Sequence, residues 1–231
     1  VAELPPAPVL PTWSYITPKE YKPADQTGPD FGLLDHPYIG GRISVCILCY
    51  GNHLELAQRC IGSILNSTPL ERLDLRIALN QPTDRVLRYI EDFNKGVITK
   101  TYIDHGERRK YPAMREMFWD RDCPITTNYL TWFDDDSHVV EQDWLIKLGR
   151  EIIANHGQGA RLYGCKYLHD LMPYAKHGHN PKTWFEDATW WRGKDFYSKN
   201  GNTPAPNGSV ITFASGGFWA LHTQTMRDAD I

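Results

Sequence analysis

The sequence predicts an α/β fold in which a mostly parallel central sheet is flanked by helices. Apolar runs of strand length alternate with segments of helical periodicity from Arg42 onward, which is typical of βαβ units. The 231 residues, of which 41% are apolar and 23% charged, suffice for one domain with a sizeable core. Polar residues follow several of the predicted strands, which is where parallel sheets bind ligands.

The first 41 residues differ from the rest and predict a Pro-rich extended arm, residues 1–41. Eight of the chain's 16 prolines lie within the first 40 residues, and no apolar periodicity is sustained there. Proline-rich chain favours extended backbone over packed helix. We therefore expect the folded domain to span residues 42–231.

Each element of the first half follows from its own pattern. An apolar, β-branched run at 43–49 predicts a buried strand, and Leu54, Ala57 and Ile61 then recur at helical spacing. The same alternation repeats along the chain. The predicted strands are 43–49, 73–79, 97–103 and 129–133, and the predicted helices are 54–65, one beginning near 83, 113–119 and 142–153.

The second half is less regular. A strand is predicted at 161–167, after which periodicity fades over residues 169–208. A long irregular stretch inside a compact domain is usually functional. Regular patterns return in strands at 210–213 and 216–222, and Thr223 is the predicted N-cap of a last helix.

Composition excludes several functional classes. A net charge of −3 gives no electrostatic basis for wrapping nucleic acid, and no apolar run approaches the ~20 residues needed to cross a bilayer. Five scattered cysteines do not form a disulfide framework, which favours a reducing, cytoplasmic location. Cys46 and Cys49 form a C-x-x-C pattern, but residues three apart on a strand point to opposite faces, so we expect no shared metal or redox site.

The strongest chemical signal is the acidic run Asp134-Asp135-Asp136, which follows an apolar strand. Three adjacent carboxylates repel one another, and a divalent cation such as Mg²⁺ or Mn²⁺ would balance them. In extended chain Asp134 and Asp136 point to one side, with His138 continuing that face, while Asp135 points to the other. The run is also compatible with a solvated turn whose aspartates cap the following helix.

Three motifs in a particular order resemble one enzyme family. They are the strand and turn Ile43-Ser-Val-Cys-Ile-Leu-Cys-Tyr-Gly-Asn52, the triplet Asp134–Asp136 and, near the end, Gly216-Gly217-Phe218-Trp219-Ala220-Leu221. Over residues 42–230 the chain resembles the family 2 glycosyltransferases, which have the Rossmann-like GT-A fold and use nucleotide-diphosphate sugars. The resemblance implies metal-dependent transfer of a sugar to a hydroxyl acceptor. We accordingly expect a nucleotide-binding half at 42–140 and an acceptor half at 141–231.

The resemblance also implies roles for individual residues. Asp134 is implied to lie near the nucleoside, and Asp136 to bind a metal, Mn²⁺ or Mg²⁺, on the diphosphate. The predicted metal ligands are Asp136, His138 and His222. The predicted nucleotide-sugar-binding residues are Tyr50, Gly51, Asn52, Asn80, Arg115, Asp134, Asp135, Gly216 and Gly217.

Two departures from the family pattern leave alternatives open. Family members usually carry an acidic residue at the end of the second strand, where this chain has Asn80, so the base is open between UDP, which we favour, and GDP. The carboxylate base of inverting members would fall beyond Ile231. That position implies a truncated chain, a base from elsewhere or a retaining mechanism, of which we favour truncation. A non-catalytic sugar-binding domain and a nucleotidyltransferase are the alternative functions.

Several of these residues also have simpler interpretations. Arg115 belongs to the basic run 108–115, which suits phosphate oxygens but equally a solvated turn before a helix. Gly216 and Gly217 permit close approach of a sugar, or plain packing between strands. His222 is an acceptable Mn²⁺ ligand, or a surface histidine where a helix starts.

Aromatic residues crowd the irregular segment and predict the acceptor site. Trp184, Trp190 and Trp191 offer apolar faces on which sugar rings pack. Glu186 and Asp187 lie beside them and are weak candidates for catalytic carboxylates, the catalytic residues being otherwise unknown. The same rings would also suit a small satellite core beneath a long loop.

Overall fold

The computed structural model describes residues 29–93, 96–106, 110–139, 141–164, 202–204, 210–212 and 218–230. The strands are β1 (Ile43–Tyr50), β2 (Leu73–Asn80), β3 (Lys100–Asp104), β4 (Tyr129–Asp134), β5 (Leu162–Gly164), β6 (Asn202–Pro204), β7 (Val210–Thr212) and β8 (Phe218–His222). The helices are α1 (Leu54–Ser67), α2 (Asp84–Glu91), α3 (Lys110–Phe118), α4 (Trp144–His156) and α5 (Thr223–Asp228), with short 3₁₀ helices at Phe31–Asp35 and Leu70–Arg72.

Six of the strands form one sheet in the order β3-β2-β1-β4-β8-β5, and β6 pairs with β7 in a separate two-stranded sheet. Strands β1 to β4 are parallel to one another, whereas β8 runs antiparallel to both β4 and β5. The predicted α/β class with a mostly parallel sheet is confirmed. Strands β1 to β4 all end on the same side of the sheet, which we call its carboxyl end. The opposite side is its amino end.

Helices cover both faces of the sheet, which explains why β1 and β2 are buried almost throughout. Side chains at Val45, Ile47 and Cys49 pack with α1 and α2 on one face. Cys46 and Leu48 pack with α3 and α5 on the other. The two cysteines of the C-x-x-C pattern therefore face different cores, as strand alternation predicts.

Part of the predicted arm belongs to the folded core. Leu34 and Ile39 are fully buried against α4. A side chain at Gly149 of α4 would lie 3.1 Å from Leu34 and 3.2 Å from Ile39, so this helix is shaped to accept the crossing chain. Residues 29–41 are thus packed on the domain rather than appended to it, because Leu34 and Ile39 contact a helix that lies more than 100 residues later in the chain. Residues 1–28 lie outside the described part of the chain.

A few boundaries differ from the sequence prediction. Strand β3 begins at Lys100 rather than at 97, and α5 has His222 at its N-cap position, so Thr223 is the first helical residue. Strand β5 is described only as Leu162–Gly164, and most of the irregular stretch 169–208 lies outside the described residues. Within the described chain, no helix combines the length and apolar character needed to cross a membrane.

A buried polar network ties β2 to the loop that precedes β4. The Arg76 guanidinium donates to Asp74 at 2.9 Å, to the Cys123 carbonyl at 2.5 Å and to the Pro124 carbonyl at 3.1 Å. It also donates to the Tyr102 hydroxyl at 3.3 Å. Arg76 and Asp74 are only 2% and 6% exposed, so their ion pair is shielded from water.

Candidate functional site

Hydrogen bonds continue beyond the last strand residues and hold the carboxyl end of the sheet together. Tyr50 lies opposite Asn80, and Asn80 opposite Asp104. Beyond them, the Gly51 amide donates to the Asn80 carbonyl at 2.8 Å, and the Gln81 amide to the Asp104 carbonyl at 2.7 Å. The ends of β1, β2 and β3 therefore form one connected platform.

Two residues of this platform adopt left-handed backbone conformations. Gly51 has φ +51°, which glycine adopts without steric cost. Gln81 also has φ +51°, although it carries a side chain and precedes Pro82, a position that favours extended backbone. Backbone conformations of this kind cluster at functional sites. Sequence reasoning did not select Gln81, and no local signal marks it.

The three aspartates form a turn and not an extended strand. Strand β4 ends at Asp134, and the Ser137 amide donates to the Asp134 carbonyl at 2.9 Å, which closes the turn. The predicted alternation of Asp134 and Asp136 on one side is therefore wrong, since it requires extended chain. We call residues 134–137 the aspartate turn.

The carboxylates of this turn occupy three different environments. Asp134 is half-buried and accepts a hydrogen bond from the Trp132 indole at 2.9 Å. Asp135 is 6% exposed and accepts from the Tyr50 backbone amide at 2.8 Å. Asp136 is exposed. Only the third residue is exposed, although the three are identical in the sequence.

The charges of the turn act on one another and on Tyr50. Burial raises the pKa of Asp135, the Tyr50 amide opposes this, and the neighbouring Asp136 and Asp134 raise it further. Burial also raises the pKa of the Tyr50 hydroxyl, as does the charge of Asp134, while a hydrogen bond with the Asn80 side chain opposes the rise. Tyr50, Asn80 and the aspartate turn thus lie within interaction distance of one another.

Basic side chains border the turn, and sequence reasoning missed two of them. His53, which follows the Tyr50–Asn52 turn, acts electrostatically on Asp135. Burial lowers the pKa of the half-buried His138, and the nearby Arg59 lowers it further. The Nε of Arg59 is buried and has no hydrogen-bond partner among the described residues. His53 could have been chosen for its place next to the turn, whereas Arg59 lies inside a helix and gives no local signal.

The prediction that His222 joins Asp136 and His138 at a metal is wrong. Because β8 is antiparallel to β4, Phe218 lies opposite Phe133 and His222 opposite Tyr129, at the amino end of the sheet. Four residue steps of β4 separate Tyr129 from Phe133, which corresponds to ~13 Å. His222 instead packs against the rings of Tyr129 and His156, with centroid distances of 5.1 Å and 5.4 Å.

Arg115 has a partner away from the aspartate turn. Its guanidinium donates to the Asp230 carbonyl at 3.1 Å and lies 3.3 Å from the Asp230 carboxylate, just beyond α5. Its role at the phosphates stays a prediction. Asn52 is exposed in the turn after β1. The remaining predicted residues lie outside the described part of the chain: Gly216, Gly217, Trp184, Trp190, Trp191, Glu186 and Asp187.

The described residues offer oxygen ligands for a metal but no complete cage. Among them, no group of three or more His, Cys, Asp or Glu side chains is placed to hold an ion. Asp134 and Asp136 carry carboxylate oxygens within one tight turn. Such hard ligands suit Mg²⁺ and Mn²⁺.

Comparison with known proteins supports the fold through structure and not through sequence. No protein-family model matches the chain, and no curated protein matches it. A mannosyltransferase from Pyrobaculum calidifontis, solved with GDP-Man and Mn²⁺, matches at 13% identity over 81% of this chain and 46% of its own, with a TM-score of 0.51. The chain has a GT-A glycosyltransferase fold.

The fold expected from the family resemblance is therefore confirmed. TarS from S. aureus, solved with UDP-GlcNAc, also matches, at 14% identity over 82% of this chain and 48% of its own, with a TM-score of 0.48. This chain spans about half the length of these solved structures.

Proposed function

We propose that this protein is a metal-dependent glycosyltransferase, which moves a sugar from a nucleotide diphosphate to a hydroxyl acceptor. The observation that carries the proposal is the meeting of Tyr50, Asn80 and the aspartate turn at the carboxyl end of the sheet. Ligands of parallel α/β sheets bind at that end. The mannosyltransferase of the same fold was solved with a nucleotide sugar and Mn²⁺, which supports this choice of donor and ion.

Tyr50 and Asn80 form the nucleoside side of the proposed site. Asn80 carries both a donor and an acceptor, so it suits the edge of either uracil or guanine. Asp134 lies near Tyr50 and offers carboxylate oxygens to ribose hydroxyls. The preference for UDP over GDP is the finer prediction, which the nucleotide panel below tests.

Asp136, together with Asp134, is the proposed holder of Mn²⁺ or Mg²⁺. Two carboxylates fill only part of the coordination shell of such an ion, and diphosphate oxygens and water would complete it. When bound, the ion supplies Lewis-acid stabilisation of the departing diphosphate. His138 stays a candidate ligand, because burial lowers its pKa and so favours the neutral imidazole, which is the form that binds metals.

The acceptor side of the proposed enzyme comes from the second half of the chain. Trp184, Trp190 and Trp191 stay the proposed acceptor residues, with Glu186 and Asp187 as candidate carboxylates beside them. All five lie outside the described residues. Transfer to a sugar or another hydroxyl compound is the reaction that these residue types suit.

Nucleotide-dependent thermal stabilisation of the full chain tests the proposal. UDP, GDP and their sugars are each added with and without Mn²⁺. A ligand at 100 times its Kd stabilises the folded state by about 2.7 kcal/mol. For a chain of this length, that corresponds to a rise in Tm of about 5–10 °C.

Matched variants assign the effect to the aspartate turn. Asp136→Asn should remove the Mn²⁺-dependent part of the shift, whereas Asp92→Asn, an exposed carboxylate at the end of α2, should leave it unchanged. No Mn²⁺-dependent shift with any nucleotide would refute the proposal. Binding without release of sugar from the donor would instead indicate a non-catalytic binding domain.

A further inference from the structure

We infer that Asp135 is a positioning residue, whose side chain sets the aspartate turn against Tyr50 by taking the place of a missing backbone acceptor. The inference rests on the proposed function, because the groups that it positions are those proposed to bind the nucleotide and metal. It concerns the middle aspartate of the run, the one that is buried and points away from solvent.

The backbone of β1 has an amide that β4 cannot satisfy. The last pair between these strands is Leu48 with Asp134. The chain turns after Asp134, so β4 provides no carbonyl opposite Tyr50. The Asp135 carboxylate accepts from that amide at 2.8 Å instead.

Asp135 also contacts β1 through its own backbone. Its amide donates to the Leu48 carbonyl at 3.1 Å. One residue therefore holds β1 at Leu48 and at Tyr50, on either side of Cys49. Two hydrogen bonds at separate points fix both the orientation of the turn and its distance from β1. A single hydrogen bond would not fix the orientation.

The groups on both sides of this link are those of the proposed site. Tyr50 lies opposite Asn80 in the sheet, and its hydroxyl bonds with the Asn80 side chain. Asp134 and Asp136 flank Asp135 in the turn. A change in the reach of the Asp135 side chain would thus move the nucleoside side of the site relative to the metal side.

Two substitutions separate reach from charge. Asp135→Asn keeps the length of the side chain and an acceptor oxygen but removes the charge. Asp135→Glu keeps the charge but lengthens the side chain by one methylene. If Asp135 acts by position, we expect the Kd for nucleotide diphosphate with Mn²⁺ to stay within threefold for Asp135→Asn and to rise at least tenfold for Asp135→Glu.

Asp74 provides the matched control, since it is also 6% exposed but lies near the start of β2, at the amino end of the sheet. Asp74→Asn and Asp74→Glu should lower Tm without changing the Kd. Calorimetric titration of each folded variant with UDP and GDP, with and without Mn²⁺, gives the Kd values. Amide exchange of Tyr50 in the nucleotide-free protein gives a second readout, with exchange expected to be at least tenfold faster in Asp135→Glu than in Asp135→Asn.

The results distinguish a positioning role of Asp135 from a role of its charge and from no role at all. Loss of binding in Asp135→Asn with retention in Asp135→Glu would overturn the inference and assign Asp135 a role through its charge. Unchanged binding and unchanged Tyr50 exchange in both variants would also overturn it, while leaving the proposed function intact. If the unmodified chain binds no nucleotide, the proposed function fails and the inference fails with it.

Discussion

Replacing Arg76 by Met should destabilise the fold more than any surface change. The substitution keeps an unbranched side chain that replaces the aliphatic stem of arginine but removes the guanidinium from a site that is 2% exposed. Asp74 would then stay buried without its cation, and the carbonyls of Cys123 and Pro124 would lose their donor. The consequence is an uncompensated buried charge at the centre of the network.

The expected decrease in unfolding free energy follows from the loss of the ion pair. Removing one partner of a buried ion pair costs about 3–5 kcal/mol of unfolding free energy. For a domain of this length, that corresponds to a fall in Tm of about 6–20 °C. Adding Asp74→Asn to the Arg76→Met variant removes the unpaired buried charge. The double variant should therefore recover part of the lost unfolding free energy. The two carbonyls would still lack a donor and cost about 1–3 kcal/mol.

Urea unfolding of the four proteins in this double-mutant cycle measures these differences. Lys147→Met is the control, since Lys147 is half-exposed and pairs with Glu141 and Asp143 at the surface. We expect that change to cost far less stability than Arg76→Met, because water screens an exposed ion pair. The prediction is refuted if Arg76→Met lowers the unfolding free energy by less than about 1 kcal/mol, or if the double variant is no more stable than Arg76→Met alone.

Two further predictions concern the amino end of the sheet and the N-terminal segment. Burial lowers the pKa of His222, and the charges of His156 and Arg161 lower it further. The unfolded chain therefore binds more protons than the folded one, and stability should fall as the pH drops below about 6.5. His222→Asn should flatten this dependence between pH 7 and 5; parallel pH profiles of the original protein and this variant would contradict the prediction. Leu34→Ala should cost about 2–5 kcal/mol in urea unfolding, because the side chain is fully buried. A cost below 0.5 kcal/mol would indicate that residues 29–41 do not belong to the core.

Local patterns in the sequence predict most of the individual elements. Side chains alternate along a strand and recur every three or four residues along a helix, so apolar spacing alone identifies β1, α1, β2 and β4. The same alternation places Cys46 and Cys49 on opposite faces, as the structure has them. The position of the acidic run directly after a buried strand likewise predicts its place at the carboxyl end of a parallel sheet.

Contacts between distant segments decide what these patterns cannot. His222 follows its strand directly, but the direction of that strand depends on a long connection, and antiparallel pairing with β4 places the residue at the amino end. Leu34 and Ile39 lie in a segment without sustained apolar periodicity, and their burial depends on contact with α4. Within the aspartate turn, identical side chains differ because Asp135 meets an unpaired amide of β1 while Asp136 meets water. Burial and hydrogen bonding depend on what lies across the fold, so the sequence by itself determines which residues carry charge, and the tertiary structure decides the environment of each.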